Sequence, residues 1–337
     1  MKRIKDSDRK DWFQWIARNL LRGVPAEELL QRMSARGFGD EQAEKLLHRV
    51  LSDPIFAGAQ SISWRVRNLE CLLDIQRTLA ESNPKNQTID RHKNLSEEEF
   101  FERYYSRNQP VIIEGLIEDW PARSKWSPQY FSQNFGQFLV EVQANRKTDP
   151  VYEVFLKGHS RKMKLSEFCS LVEDERETNS FYLTANDRLL ENDNFRSLCD
   201  DFWPLPQFFR ERDREEKQFL WFGPKGAVSP LHRDRLNVFM TQVFGRKRVK
   251  MISSQALHLV YNYESFFSEV DVENPDLEKY PLFAQVNVMD VELNPGDCLL
   301  IPVGWWHHVR ALTVSINVSL TNFKFGNDFR RFYDRGI

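Results

Sequence analysis

The stretch Trp221–Asp234 reads WFGPKGAVSPLHRD, and it ends with a histidine and a carboxylate two positions apart. The apolar residues around them predict a β-strand, in which residues i and i+2 point to the same face. His232 and Asp234 are therefore expected to lie side by side, while Arg233 points the other way. Taken alone, this tripeptide is weak evidence for a metal site, because most histidines beside a carboxylate are surface residues.

A further histidine pair follows in CLLIPVGWWHHVRAL, residues 298–312. The apolar start of this segment predicts a buried strand that leads to the two histidines. Because neighbours on a strand face opposite sides, either His307 or His308 can join His232 and Asp234, but not both. Two imidazoles and one carboxylate on one face of a metal ion are the ligand set of non-haem Fe(II) oxygenases, which keeps the other positions open. The pattern predicts an oxygenase.

The segment that follows the first motif carries an alternating basic pattern. It reads QVFGRKRVKMI from Gln242 to Ile252, and a turn is expected at Gly245. Beyond the turn, Lys247 shares a strand face with apolar residues, while its basic neighbours face outward. An inward lysine requires an anion. The alternative interpretation is a solvated strand or a phosphate-binding patch.

Four ordered blocks resemble the JmjC or cupin-like family of Fe(II)- and 2-oxoglutarate-dependent oxygenases. The similarity extends over about residues 88–325 and is strongest to the protein-hydroxylase branch, which includes asparaginyl and arginyl hydroxylases. The blocks are LSEEEFFERYYSRNQPVIIEGLIEDWPA (95–122), the region 221–247, DVENPDLEKYPLF (271–283), and the region 294–320. The resemblance implies a double-stranded β-helix, the jelly-roll form of a cupin, with flanking helices.

The resemblance also implies roles for particular residues. His232, Asp234 and His307 match the iron ligands of the family, which leaves His308 with a structural role. Asp234 has a further consequence, because related halogenases replace this carboxylate to make room for chloride. Its presence therefore favours hydroxylation.

The co-substrate residues are assigned in the same way. Lys247 matches the lysine that pairs with the distal carboxylate of 2-oxoglutarate, and Ser229 matches a hydroxyl donor to the same carboxylate. Tyr182 matches a tyrosine that completes this site, although a half-buried strand aromatic is the alternative. Asn237 is the one that remains of two asparagines found in many relatives. Trp221 matches an aromatic that faces the substrate, with a core tryptophan as the alternative.

The function that the resemblance implies is hydroxylation of a carbon–hydrogen bond in a side chain of a peptide or protein. The reaction consumes O2 and 2-oxoglutarate and releases succinate and CO2. Alternatives within the family are N-methyl demethylation and hydroxylation of a small metabolite. An alternative from a different class is a catalytically silent cupin-like binding module.

The composition is typical of an intracellular enzyme. The chain has 337 residues, of which 41% are hydrophobic, and a net charge of −2, which gives no electrostatic footprint for nucleic acid. No apolar run approaches the length of a membrane span, so no membrane association is expected. The four cysteines are scattered and lack CxxC spacing, which predicts a reducing compartment, the cytoplasm. The expected partner is the peptide or protein substrate.

The chain is predicted to have two parts joined by a linker. Residues 1–82 form a helical unit, residues 83–94 a polar linker, and residues 95–337 the catalytic domain. Apolar periodicity and turn residues predict four helices in the first part, which are expected at 11–22, 25–37, 41–51 and 63–80. The unit is interpreted either as a substrate-recruitment module or as a helical buttress or dimer surface, which leaves a homodimer possible.

Overall fold

The computed structural model describes residues 6–146, 152, 158–174, 176–210, 218–264 and 266–333. The chain divides into two compact units, Met1–Gln76 and Arg77–Ile337. Among the described residues, the α-helices are α1 (Asp6–Leu21), α2 (Ala26–Ser34), α3 (Asp40–Leu51), α4 (Pro54–Glu81), α5 (Glu97–Phe100), α6 (Pro121–Lys125), α7 (Pro128–Phe135), α8 (Leu165–Glu173) and α9 (Arg330–Tyr333).

All strands of the described residues lie in the second unit, Arg77–Ile337. They are β1 (Asp90–Lys93), β2 (Val111–Glu114), β3 (Leu139–Ala144), β4 (Ser160–Lys164), β5 (Phe181–Tyr182), β6 (Gln218–Gly223), β7 (Val228–Arg233), β8 (Val238–Phe244), β9 (Lys247–Ile252), β10 (Asn262–Glu264), β11 (Phe267–Ser268), β12 (Met289–Leu293), β13 (Cys298–Ile301), β14 (Trp306–Ala311) and β15 (Ser315–Leu320).

The strands form two six-stranded sheets and one small sheet. The first sheet has the order β1-β2-β13-β8-β15-β6, the second has the order β10-β11-β7-β14-β9-β12, and the small sheet has the order β4-β3-β5. Apart from the parallel pair β1 and β2, neighbouring strands are antiparallel. Two antiparallel sheets with this interleaved strand order form the jelly-roll of a cupin. The predicted fold class is therefore confirmed.

The two large sheets enclose a core that both contribute to. Ile112, Met240 and Leu299 from the first sheet pack with Val249 and Met251 from the second. The opposite face of the first sheet packs against the helices through a larger aromatic core, which includes Phe100, Phe208, Phe239 and Phe323. The sheets thus bury apolar side chains on both faces, which fixes the strand registers that carry the candidate site.

The first unit is a bundle of helices around its own apolar core. The core contains Ile16, Leu29, Met33, Leu47 and Phe56, among others. Four helices occur near the predicted positions, but α1 begins at Asp6 rather than at residue 11 and α4 at Pro54 rather than at residue 63. Proline is well suited to the first turn of a helix, and the Asp53 carboxylate accepts a hydrogen bond from the Ile55 N–H at 2.8 Å. This start signal, Asp-Pro, was missed in the sequence.

The linker prediction is wrong for part of residues 83–94. Asp90–Lys93 form strand β1, which pairs in parallel with β2 from Val111 to Glu114. The polar composition of DRHK is explained by its place at the edge of the first sheet, where most of its side chains reach solvent. The next helix begins with a capping box, in which Ser96 and Glu99 exchange side-chain to backbone hydrogen bonds.

Among the described residues, no helix is both long enough and apolar enough to cross a membrane.

Candidate active site

Three side chains converge inside the jelly-roll. The ligand atoms of His232, Asp234 and His307 all lie within 4.8 Å of one another. Nε2 of His307 is 3.6 Å from Oδ2 of Asp234, and the two imidazole rings have centroids 4.1 Å apart. The register of the second sheet causes this arrangement, since His307 on β14 lies directly opposite His232 on β7. The spacing of the two sequence motifs therefore brings these three residues together.

The tautomers of both histidines suit metal binding. Nδ1 of His232 lies 2.7 Å from the carbonyl oxygen of Pro230, and Nδ1 of His307 lies 3.1 Å from that of Trp305. A ring nitrogen that faces a carbonyl oxygen must carry the proton, so Nε2 of each ring has its lone pair available. Two Nε2 atoms and one carboxylate within a few ångströms fit the two-histidine, one-carboxylate set of non-haem iron.

Burial makes charge on these residues costly in the protein alone. It raises the pKa of Asp234, an effect that the nearby His232 partly offsets. Burial also lowers the pKa of His307 well below its ordinary value, and the proximity of His232 adds to this. A bound divalent cation would favour the same neutral imidazole while stabilising the carboxylate.

His308 faces away from this cluster. Its Nε2 is 3.7 Å from Oε2 of Glu273, which also binds the guanidinium of Arg310. Burial lowers the pKa of His308 to about 4, against the opposing effect of Glu273. The sequence left His307 and His308 open as alternatives on strand geometry alone, and the register resolves the choice in favour of His307.

A bulge in β7 explains how Ser229 comes to share a face with His232. On β14, His307 and Val309 are two residues apart, but their opposite residues on β7, His232 and Ser229, are three apart. Because β7 has one residue more than β14 between these two pairs, Ser229 lies opposite Val309. The Val309 side chain faces the inside of the barrel, and the Ser229 side chain faces the same way. Ser229 is buried. The hydroxyl is thus on the same inner surface as the three clustered side chains.

Lys247 is a buried cation inside the same barrel. It is 1% exposed, and Nζ donates to the Tyr182 hydroxyl at 3.1 Å and to Oδ1 of Asn317. Within the part of the protein that the structure describes, no carboxylate forms an ion pair with it. Burial lowers the pKa of Lys247 to about 7. An ammonium held by two neutral oxygens has room for an anionic ligand.

The other basic residues of this strand face outward, as the alternation predicted. Arg248 and Lys250 form ion pairs with Glu292 and Asp290 of β12. These pairs are partly exposed and belong to the outer surface of the sheet. The interpretation of the whole segment as a solvated strand is therefore incorrect for Lys247 and holds for its neighbours.

Two residues near Lys247 were missed in the sequence. Asn317 is fully buried on β15, opposite Trp221 of β6. A polar residue at an inward position of the apolar segment VSINVSL was the available signal. Arg146 is 1% exposed and follows β3 in a polar segment, where nothing distinguished it from a surface residue.

Arg146 connects Tyr182 to the start of β7. Its guanidinium lies 5.2 Å from the centroid of the Tyr182 ring and 4.3 Å from that of Tyr152. Nη2 donates to the Val228 carbonyl oxygen at 2.6 Å, and Nη1 donates to Oδ1 of Asn179 at 2.8 Å. The same Asn179 oxygen accepts the N–H of Val228 at 2.9 Å. This network fixes the backbone directly before Ser229.

Trp221 packs against the ring of Tyr182, with centroids 5.8 Å apart. It belongs to a small apolar cluster with Ala227 and Ala311 at the same end of the barrel. Its Nε1–H is buried, and no acceptor for it is found among the described residues. Trp221 thus lies beside the co-substrate candidates rather than in the main core.

The contacts of Asn237 are with neighbouring backbone and with Asn327. Its Oδ1 accepts the N–H of Val303 at 2.8 Å, and its backbone exchanges hydrogen bonds with the side chain of Asn327. These contacts hold the turn that leads into β14 and His307. The amide oxygen of Asn237 is engaged by the backbone, and its assignment to the co-substrate site stays a prediction of the resemblance.

The fold and this cluster define the class of a cupin-type metal-binding protein, and comparison with known proteins identifies the family. A profile of the cupin-like domain matches residues 97–327. Curated relatives include "Lysine-specific demethylase 8" of Xenopus tropicalis, 34% identical over 66% of this chain and 50% of the relative. "Lysine-specific demethylase JMJ30" of Arabidopsis thaliana is 30% identical over 68% of this chain and 54% of the relative.

A third relative has a different name. "tRNA wybutosine-synthesizing protein 5" of Gallus gallus is 29% identical over 66% of this chain and 74% of its own length. The chain spans about half the length of the demethylase relatives. It belongs to the cupin-like, or JmjC, family of oxygenases, whose members use Fe(II) and 2-oxoglutarate.

Proposed function

We propose that this protein is an Fe(II)- and 2-oxoglutarate-dependent dioxygenase that hydroxylates a carbon–hydrogen bond in a side chain of a peptide or protein. The observation that carries the proposal is the combination of two sites within one barrel. His232, Asp234 and His307 offer a two-histidine, one-carboxylate set, and Lys247 offers a buried ammonium for a dicarboxylate. A silent binding module has no chemical need for both.

In this proposal, each residue has a defined task. Nε2 of His232, Nε2 of His307 and a carboxylate oxygen of Asp234 hold the iron, and the backbone carbonyl oxygens behind the rings keep both imidazoles oriented. Bound iron supplies the activation of O2 and the coupled oxidative decarboxylation of 2-oxoglutarate. The apolar barrel excludes water from the reacting atoms.

The distal carboxylate of 2-oxoglutarate is assigned to Lys247, Tyr182 and Ser229. Lys247 donates a charge-assisted hydrogen bond, and the two hydroxyls contribute neutral donors. The carboxylate would take the place of a neutral partner of the Lys247 ammonium. Its negative charge would offset the cost of burying the positive charge of the lysine. Trp221 is assigned to the substrate side, where its Nε1–H is available to an acceptor on the substrate.

The peptide or protein substrate is proposed from the resemblance to the protein-hydroxylase branch. A net charge of −2 does not favour nucleic acid as the general partner. The described cysteines are free thiols, which supports the cytoplasmic location expected from their spacing.

N-methyl demethylation is a second candidate function, and the names of two relatives favour it. It requires the same site, because hydroxylation of an N-methyl carbon gives an unstable product that releases formaldehyde. A third relative is named for a tRNA modification, so an RNA substrate is an outcome that the assay must be able to detect.

The test has two stages. Anaerobic Fe(II) protein is first titrated with 2-oxoglutarate, and the weak visible absorption that accompanies chelation is followed. We expect the absorption in the parent protein and its loss in Lys247→Met with iron still bound. An iron-loaded parent protein that gives no response to 2-oxoglutarate contradicts the proposal.

The second stage distinguishes the substrate classes. Peptides, methylated peptides and tRNA are incubated aerobically with the loaded enzyme, and succinate, formaldehyde and product mass are measured. A stable mass increase of one oxygen on a peptide supports hydroxylation. Formaldehyde release from a methylated peptide supports demethylation instead, and turnover with tRNA alone overturns the protein-substrate assignment.

A further inference from the structure

The longest helix of the protein carries an unusual number of exposed apolar side chains. Half of the sixteen large apolar residues that are exposed in the described part of the protein lie on α4, from Pro54 to Glu81. They are Ile55, Ile62, Trp64, Val66, Leu69, Leu72, Ile75 and Leu79. On a folded protein, a contiguous apolar surface marks an interaction site more often than single exposed apolar residues do.

Five of the eight exposed residues follow a seven-residue repeat. Ile55, Ile62 and Leu69 are seven apart, and Leu72 and Leu79 are also seven apart, three residues further along. This is the a and d pattern of a coiled coil, which places them on one seam of the helix. Leu69 is 63% exposed and Leu79 is 67% exposed, so the seam is uncovered.

A different side of α4 packs within the first unit. Phe56 is buried in the core of that unit, and Oγ of Ser63 donates to the carbonyl oxygen of Leu21 at 2.8 Å. Phe56 and Ser63 are seven residues apart and share a face about a third of a turn from the seam. The seam is therefore not needed for the packing of α4 onto α1.

We infer that the α4 seam pairs with α4 of a second copy of this protein, in antiparallel orientation. The charge pattern decides between the two orientations. Arg65 occupies a d position, and in a parallel, in-register pair it would face Arg65 of the other copy at the seam, where like charges repel. In an antiparallel pair that is centred between Leu69 and Leu72, Arg65 faces Gln76 of the other copy instead.

The antiparallel register is also complementary in its apolar residues. Ile62 of one copy faces Leu79 of the other, and Leu69 faces Leu72, so that each apolar layer meets an apolar layer. The positions that flank the seam carry Val66, Asn68, Leu73 and Ile75, without charge. One surface patch that is complementary to itself is what a two-fold symmetric dimer requires.

The size of the patch sets the expected strength. Full burial of an aliphatic side chain removes roughly 60–120 Å² from water at the usual coefficient. Six such residues on each copy, from Ile62 to Leu79, are 46–67% exposed, so they can bury roughly 400–800 Å² more in total. This area is below the roughly 1,000 Å² of a typical specific interface and is in the range of weak, transient ones. The expected dimer is reversible and depends on protein concentration.

The first experiment measures mass in solution over a concentration series by light scattering or sedimentation. We expect the full-length protein to form a dimer and the double variant Leu69→Asp, Leu72→Asp to be a monomer at the same concentrations. Leu139→Asp is the control for the loss of an exposed leucine, because Leu139 is 62% exposed on β3 and is not part of the α4 seam. Circular dichroism establishes that each variant is folded.

The second experiment tests the orientation. The exposed Cys71 is replaced by serine, and Leu69→Cys and Leu72→Cys variants are prepared separately in that background. In the antiparallel register, oxidation of a mixture gives a disulfide between the two unlike variants, and each variant alone gives little.

The inference is overturned by a parent protein that is monomeric up to high micromolar concentration, or by a dimer that the aspartate pair leaves intact. Efficient disulfide formation by either cysteine variant alone overturns the antiparallel orientation. None of these outcomes depends on iron or 2-oxoglutarate, so they leave the proposed function untouched.

Discussion

Gly223 lies directly against the ring of Tyr182. A Cβ atom at Gly223 would come 2.6 Å from Cδ2 and 2.8 Å from Cε2 of that ring. These distances are well below van der Waals contact, so β6 can pass Tyr182 only because residue 223 has no side chain. The glycine therefore determines where the phenol hydroxyl meets Nζ of Lys247.

This contact predicts the effect of Gly223→Ala. The added methyl group displaces the Tyr182 ring, which weakens 2-oxoglutarate binding while iron binding is unchanged. Overpacking of this kind costs about 1–3 kcal/mol, or roughly 5- to 150-fold in affinity if it acts on the bound state. Titration calorimetry on the Fe(II) protein measures the affinity for 2-oxoglutarate. Gly326→Ala, where a Cβ meets nothing within 4 Å, is the control.

A second prediction separates the two adjacent histidines. His307→Ala is expected to lose iron, because Nε2 of His307 lies in the cluster with His232 and Asp234. His308→Ala is expected to keep iron, because its ring faces Glu273. Metal content after anaerobic loading and desalting measures both. Equal iron retention by the two variants would contradict the assignment of His307 as a ligand.

The burial of Lys247 predicts a pH dependence of co-substrate affinity. The carboxylate requires the protonated amine, and the pKa of Lys247 in the protein is about 7. Affinity is therefore full below pH 7 and falls by about tenfold per pH unit above it, until the higher pKa of the bound complex is reached. The dissociation constant of 2-oxoglutarate, measured from pH 6 to 9, is expected to rise. A constant affinity over this range contradicts the role of Lys247.

The same lysine is expected to reduce stability. Its pKa is lowered in the folded protein from 10.5 to about 7, so the destabilising effect is complete below pH 7 and disappears as the pH rises past 10.5. Lys247→Met should therefore raise the melting temperature, by an amount equivalent to about 1–4 kcal/mol. The difference between variant and parent should be larger at pH 7 than at pH 9.5. Thermal unfolding at the two pH values tests this sign.

Arg146 is predicted to position Tyr182 and Ser229 without touching the co-substrate. Arg146→Met removes the guanidinium from the Tyr182 ring and from the Val228 carbonyl oxygen. We expect weaker 2-oxoglutarate binding with iron retained, and partial recovery in Arg146→Lys. Arg161→Met, at an exposed position of β4, is the control. An unchanged affinity in Arg146→Met would mean that the arginine only packs the loop.

The local signals in the sequence were sufficient for the fold and for the three clustered side chains. Alternation on β9 predicted which side of the strand Lys247 occupies, and the two-residue spacing of His232 and Asp234 predicted their common face. These inferences succeeded because strand geometry has a fixed period of two. The choice between His307 and His308 depended on the register with β7, which is a long-range property.

The residues that sequence reasoning missed act through contacts between distant segments. Arg146 reaches Tyr182 and Val228 from a segment whose polar composition resembles a surface loop. Asn237 was assigned to the co-substrate by resemblance, whereas its amide oxygen is bound by the backbone of Val303, 66 residues away. No periodicity reveals such pairs, because they depend on how the sheets fold over one another.

The bulge in β7 divides the strand into two halves that can be changed separately. In a strand without the bulge, a serine three residues before His232 would point to the outside of the barrel, while His232 and Asp234 would keep their places. A single backbone irregularity thus allows one strand to serve both the metal and the organic acid, although an uninterrupted strand would direct the two groups to opposite faces.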